Sequence, residues 1–122
     1  MLKKILPILA LLYTIALAII SLLNFSNLPD IDIDNSDKYG HAIAYSLLCL
    51  IWYLAMKSFK FPKALLIAAS IAIIYGIVLE VLQGALTDAR IFDGYDILAN
   101  SIGVAFISII ILIRNKTQVK NL

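Results

Sequence analysis

The segment from Ala64 to Gln83 reads ALLIAASIAIIYGIVLEVLQ, and Glu80 is its only charged residue. The hydrocarbon core of a bilayer is roughly 30 Å thick and a helix rises about 1.5 Å per residue, so about 20 apolar residues make a spanning helix. Three further segments fit the same measure: Ile5 to Phe25 is uncharged, Tyr39 to Met56 carries only His41, and Tyr95 to Ile113 carries Asp96 at its start and Asn100 within. The sequence therefore predicts an all-α membrane protein, a four-transmembrane-helix bundle forming one domain over residues 1–122. The first segment differs from a secretory signal because its apolar run exceeds the usual 7 to 15 residues and no small-x-small cleavage site follows in Ser21-Leu-Leu-Asn-Phe-Ser-Asn-Leu-Pro29. It reads as a retained helix.

Composition supports this reading. Of 122 residues, 62% are hydrophobic and 15% charged, with mean hydropathy +0.96. Soluble domains are about half apolar and a quarter charged, and a chain this short has no core large enough to hide the excess. Cys49 is the single cysteine, which excludes an intrachain disulfide and a Cys-based metal site. A net charge of +2 is too small to argue for nucleic acid.

The order of the charges gives an orientation. Lys3 and Lys4, then Lys57, Lys60 and Lys63, then Arg114, Lys116 and Lys120 fall at alternate ends of the spans, hence on one side. Basic residues accumulate in short cytoplasmic loops, so both termini are expected in the cytoplasm. Asp30, Asp32, Asp34, Asp37, Glu80, Asp88, Asp93 and Asp96 fall toward the other side, with Lys38 and Arg90 as the cations among them. The loop Asn24 to Ser36 forms an acidic mouth.

Small residues recur every four positions: Ala10, Thr14 and Ala18; Gly40 and Ala44; Ala68, Ala72 and Gly76; Ala99 and Gly103. Such stripes let membrane helices pack closely. Counting from the basic residue at the end of each span puts Glu80 about 25 Å up, His41 about 24 Å, Asn100 about 21 Å and Tyr45 about 18 Å, with Asp96 and Gln83 at about 27 to 30 Å. Polar groups from three helices thus share one level beneath the outer leaflet.

The faces match as well. Asp37, His41 and Tyr45 stand at i, i+4 and i+8; Glu80 and Gln83 continue the Ala68 stripe; Asp96, Asn100 and Gly103 form the corresponding stripe of the fourth helix. An ionisable group within a span is costly and by default marks function. Local structural roles compete with this. Asp37 suits a helix start, Asp93 and Asp96 have capping-box spacing, Asn100 can bridge helices, and Tyr45, like Tyr13, Trp52 and Tyr53, can be a core or interface aromatic. Cys49 reads as a small core hydrophobe. A structural Glu80 would need a buried partner, with Arg90 or His41 as candidates.

The ordered set Asp37-Lys-x-x-His41-x-x-x-Tyr45, Gly76-x-x-x-Glu80-x-x-Gln83 and Arg90-x-x-Asp93-x-x-Asp96-x-x-x-Asn100-x-x-Gly103 resembles the VanZ-like family of small bacterial membrane proteins. The aromatic that often follows the histidine in that family is here Ala42. The resemblance implies a cell-envelope role and, through the family's namesake, resistance to the glycopeptide teicoplanin. It implies no established reaction.

Three functions follow. In the favoured one, an outward-facing pocket binds an envelope lipid, a lipid-linked cell-wall precursor or a glycopeptide. Arg90 and Lys38 then meet phosphate or carboxylate, and Glu80, Gln83 and Asn100 hydrogen-bond sugar or amide groups. The binding set is Asp37, Lys38, His41, Tyr45, Glu80, Gln83, Arg90, Asp93, Asp96 and Asn100. In the second, the protein is an intramembrane hydrolase or transferase of an envelope lipid. Glu80 is then a general base, His41 an acid oriented by Asp37, and Arg90 the stabiliser of a developing anion. In the third, the polar layer only fixes helix register for a partner subunit. No ligand-spacing motif supports a metal at His41, Glu80 and Asp96, and nothing calls for a cofactor. Membrane lipids are the expected partners, and monomer and oligomer are both left open. Nothing polar continues toward the cytoplasmic half and no inverted repeat is visible, which argues against a transporter.

Overall fold

The computed structural model describes residues 2–22, 36–86 and 94–120, with side chains described over 4–22, 39–85 and 94–117. Among these residues the chain is all-helical: α1 spans Leu2–Leu22, α2 Ser36–Ser58, α3 Ala64–Leu86 and α4 Gly94–Lys120. Each contains a stretch long and apolar enough to cross a membrane. Helix α1 starts at Leu2, before the expected Ile5, and takes Lys3 and Lys4 into its first turn, while the expected end at Phe25 lies outside the described residues. A membrane helix can continue past the hydrocarbon edge wherever its flanking lysines reach the interface. Pro7 lies inside α1, past its first turn, where it has no N–H to give to the helix.

The helices alternate in direction. Pairs running from His41 with Asn100 to Tyr53 with Asn115 make α2 and α4 parallel. Thr14 with Tyr75 and Ser21 with Gln83 make α1 and α3 parallel. In plan, α2 and α3 form the central pair, with α4 packed on both from one side and α1 on both from the other. No contact joins α1 to α4 among the described residues. The described cations Lys4, Lys57, Lys60, Lys63, Arg114 and Lys116 therefore gather at one end of the bundle, and the described acids Glu80 and Asp96 at the other.

The core runs along the α2 and α3 axis through Tyr45, Leu48, Cys49, Ala68, Ala72, Val104 and Ile111, as the Ala68 stripe and Cys49 led one to expect. Outward faces carry Ile, Leu and Val that are half exposed or more, from Ile8 to Ile113, as a lipid-facing surface requires. Among the described side chains of α1, only Ala10 is fully buried. That helix is fixed instead by hydrogen bonds at Thr14: Trp52 Nε1 donates to Thr14 Oγ1 (2.9 Å) and Tyr75 Oη to the Thr14 carbonyl (2.6 Å), while Tyr13 Oη donates to the Ala44 carbonyl (2.6 Å). Tyr13 and Trp52 are thus helix-joining aromatics.

One expected packing stripe is displaced. Gly40 is exposed, and a Cβ there would meet nothing within 4 Å. The close approach on α2 lies two residues on, where the Ala42 backbone abuts Gly103 of α4 so tightly that a Cβ on Gly103 would overlap the Ala42 carbonyl. Ser46, one turn further along α2, donates its hydroxyl to the Gly103 carbonyl at 2.8 Å. The stripe Ala42, Ser46 and Cys49 faces α4, where Cys49 Sγ lies 4.0 Å from Ser108 Oγ.

Candidate functional site

Three helices carry polar side chains into one level at the end opposite the lysines. On α4, Asp96 and Asn100 are one turn apart and both buried; on α3, Glu80 and Gln83 are buried; on α2, Tyr45 is buried and His41 is partly so. Gly103 sets the height of this group, because its close contact with Ala42 brings the N-terminal halves of α2 and α4 side by side.

His41 is the meeting point of two helices. Its Nδ1 lies 3.1 Å from Asn100 Oδ1 and its Nε2 3.7 Å from Asp96 Oδ2. An amide oxygen only accepts, so Nδ1 carries a proton and donates to Asn100. The i, i+4 spacing of Asp96 and Asn100 lets one helix face address both nitrogens of one imidazole.

Asn100 also leans on α3. A Cβ on Gly76 would stand 2.9 Å from Asn100 Nδ2 and 3.1 Å from Tyr45 Cε1. Both side chains therefore use the space left by this glycine, one turn below Glu80. Tyr45 in turn lies within electrostatic reach of Glu80. Gln83 turns to the other side of α3 and donates Nε2–H to the Ser21 carbonyl at 2.7 Å, tying down the end of α1. Among the described residues no buried side-chain nitrogen or oxygen lacks a hydrogen-bond partner.

Of the residues singled out from sequence, His41, Tyr45, Glu80, Asp96 and Asn100 are thus brought together, with Gln83 at the edge as a link to α1. Side chains of Asp37 and Lys38, and all of Arg90 and Asp93, lie outside the described residues, as does the loop expected to form the acidic mouth. Ala42 and Ser46 were not anticipated. Their i, i+4 spacing, continued by Cys49, is the signal that identifies them.

The layer is close-packed. Asn100 and Glu80 are 2% exposed and Asp96 5%, whereas the His41 side chain keeps 16% of its surface accessible. His41 is thus the polar member best placed to meet a ligand. An apolar groove of about 580 Å3 lies lower, on the outer face of α3 between Leu66 and Val78, and contains none of these residues. No group of three His, Cys, Asp or Glu side chains able to hold a metal ion occurs among the described residues.

Fold and site together define a multi-pass helical membrane protein with a buried polar cluster at one end of the bundle. Compared with family models, curated proteins and solved structures, the chain matches none.

Proposed function

We propose that this is a VanZ-like protein of the bacterial cytoplasmic membrane, with both termini in the cytoplasm. Its polar layer, under the outer leaflet, binds the polar part of an envelope lipid, a lipid-linked cell-wall precursor or a lipophilic glycopeptide. The observation that carries this reading is the burial of Glu80, Asp96 and Asn100 at one level of an otherwise apolar bundle, with His41 at the accessible edge. Burying carboxylates in a bilayer is expensive and is retained where they serve a pathway or a ligand. The motif resemblance adds the envelope theme and teicoplanin. Lys38 and Arg90 take the anion-binding role, and both are cations on the acidic side.

The test is to identify lipids that co-purify with the wild type, Glu80→Gln and Arg90→Ala, and to measure teicoplanin tolerance in cells expressing each. The expected result is a specific lipid class that is retained by the wild type and depleted in both variants, with tolerance falling in parallel. Unchanged lipid content and tolerance in both well-expressed variants would dismiss the reading.

One observation favours catalysis as a second reading. His41 is held between Asn100 and Asp96, as an imidazole must be if it is to move a proton in a fixed direction. In that case purified protein turns over a labelled envelope lipid and His41→Gln abolishes the turnover. No turnover across a broad lipid panel excludes it.

A further inference from the structure

The opposite end of the bundle holds a second feature, independent of the polar layer. Helix α2 ends in Lys57-Ser-Phe-Lys-Phe-Pro-Lys63. Phe61 N–H bonds the Met56 carbonyl (3.1 Å) and Lys60 N–H the Lys57 carbonyl (2.9 Å), the paired bonds of a Schellman cap. Its left-handed position, ordinarily glycine, is Lys60 with φ 59°. Lys63 is left-handed too (φ 57°), and its carbonyl accepts the Ile67 N–H that opens α3. Two lysines in one short turn therefore occupy a conformation in which a side chain is unfavourable, and such outliers cluster where a side chain has a task.

The surroundings indicate the task. Phe59 and Phe61 stack edge to face at 6.4 Å and are each about half exposed on either side of Lys60. Both rings sit where the apolar spans Tyr39–Ser58 and Ala64–Ala85 end, the level of lipid headgroups. Lys57 Nζ lies 5.7 Å from the centre of the Tyr53 ring, and Asn115 Nδ2 donates to Tyr53 Oη at 3.2 Å. Tyr53 thereby joins the turn to the end of α4, which adds the exposed Arg114 and Lys116 to the same surface. Glu80 and Asp96, the described acids, are at the far end.

We propose that this turn, with the end of α4, is a binding surface for anionic phospholipid headgroups. Phe59 and Phe61 enter the headgroup layer, and Lys57, Lys60, Lys63, Arg114 and Lys116 meet the phosphates. Exposed aromatic rings at the membrane edge suit a lipid layer, and the cations, with no acid among the described residues at this end, select its charge.

The test removes charge where the backbone welcomes the replacement. Asn adopts left-handed φ readily, so the triple variant Lys57→Gln, Lys60→Asn, Lys63→Asn keeps the turn. Wild type and variant, each checked for helicity and monodispersity, are offered equal phosphatidylglycerol and phosphatidylcholine in detergent, and retained lipid is counted by native mass spectrometry. The wild type is expected to retain the anionic lipid at least about fivefold more, the factor a single lysine contributes at a membrane surface, and the variant to show a clearly smaller preference, limited to what Arg114 and Lys116 still contribute. In the unmutated protein the preference is also expected to fall as salt rises from 50 to 500 mM. Equal retention by the wild type, a preference insensitive to salt, or an unchanged preference in a folded variant would overturn the proposal. Stronger capture of a polyglutamate peptide than of phosphatidylglycerol would overturn it in favour of an acidic protein partner.

Discussion

His41 Nδ1 and Asn100 Oδ1 stand 3.1 Å apart, joining the second turns of α2 and α4. Because the amide oxygen can only accept, Nδ1 is the donor to Asn100, and Nε2 is turned toward Asp96. Nitrogen NMR of specifically labelled His41 in micelles is expected to show Nδ1 protonated. Detection of the neutral form with its proton on Nε2 alone would contradict the arrangement. Asn100→Leu should release His41 and destabilise the bundle by the ordinary worth of a membrane hydrogen bond, about 0.6 and at most about 1.7 kcal/mol.

Gly103 and Gly40 are expected to behave oppositely. Gly103→Ala drives a methyl group into the Ala42 backbone and forces α2 from α4, so the melting temperature in detergent should fall sharply and the His41 contacts should be lost with it. Gly40→Ala meets open space in a helix and should be neutral or stabilising by about 0.5 to 1 kcal/mol. Equal effects at the two positions would show the close approach to be misplaced.

Thr14 anchors α1 to both central helices, receiving Trp52 at its hydroxyl and Tyr75 at its carbonyl. Thr14→Val leaves the Trp52 N–H without its acceptor, and Tyr75→Phe removes a donor. Each is expected to cost about 1 kcal/mol and to loosen α1 while sparing the α2 and α4 pair. Disulfide trapping between cysteines placed at Ser21 and Gln83 should therefore become less efficient, whereas trapping between the native Cys49 and a cysteine placed at Ser108 should not change.

The proposed orientation is open to labelling from one side of the membrane. Cys49 is fully buried, so the native thiol should stay silent. Tyr95→Cys, at the exposed start of α4, is expected to react with an impermeant maleimide in intact cells, and Lys60→Cys only after the membrane is opened. The reverse pattern would place the polar layer on the cytoplasmic side.

Much of this was legible because a bilayer imposes few solutions. Twenty apolar residues must be a helix, and the stripes Ala68 to Gln83 and Asp96 to Gly103 are buried as their spacing requires. Counting rise per residue also put His41 and Asn100 at one level. It could not say that they touch, because depth follows from sequence but the rotation of one helix against another follows from packing. The same gap explains Gly40. Two small residues on α2 were compatible with a close approach, and the choice of Ala42 depends on where Ser46 finds the Gly103 carbonyl. The Schellman turn was hidden because Lys60 stands where glycine usually advertises a helix end.

Ligand-induced stabilisation tests the central claim most directly. Wild type and Glu80→Gln are melted in lipid nanodiscs with and without a lipid-linked cell-wall precursor, teicoplanin and a panel of envelope lipids. At 100 times its dissociation constant a ligand stabilises by about 2.7 kcal/mol, so at least one of these should raise the wild-type melting temperature by several degrees. Glu80→Gln, melting near the wild type when unliganded, should lose that rise. If no compound shifts the wild type while Glu80→Gln lowers its unliganded melting temperature, the polar layer holds helices in register and binds nothing.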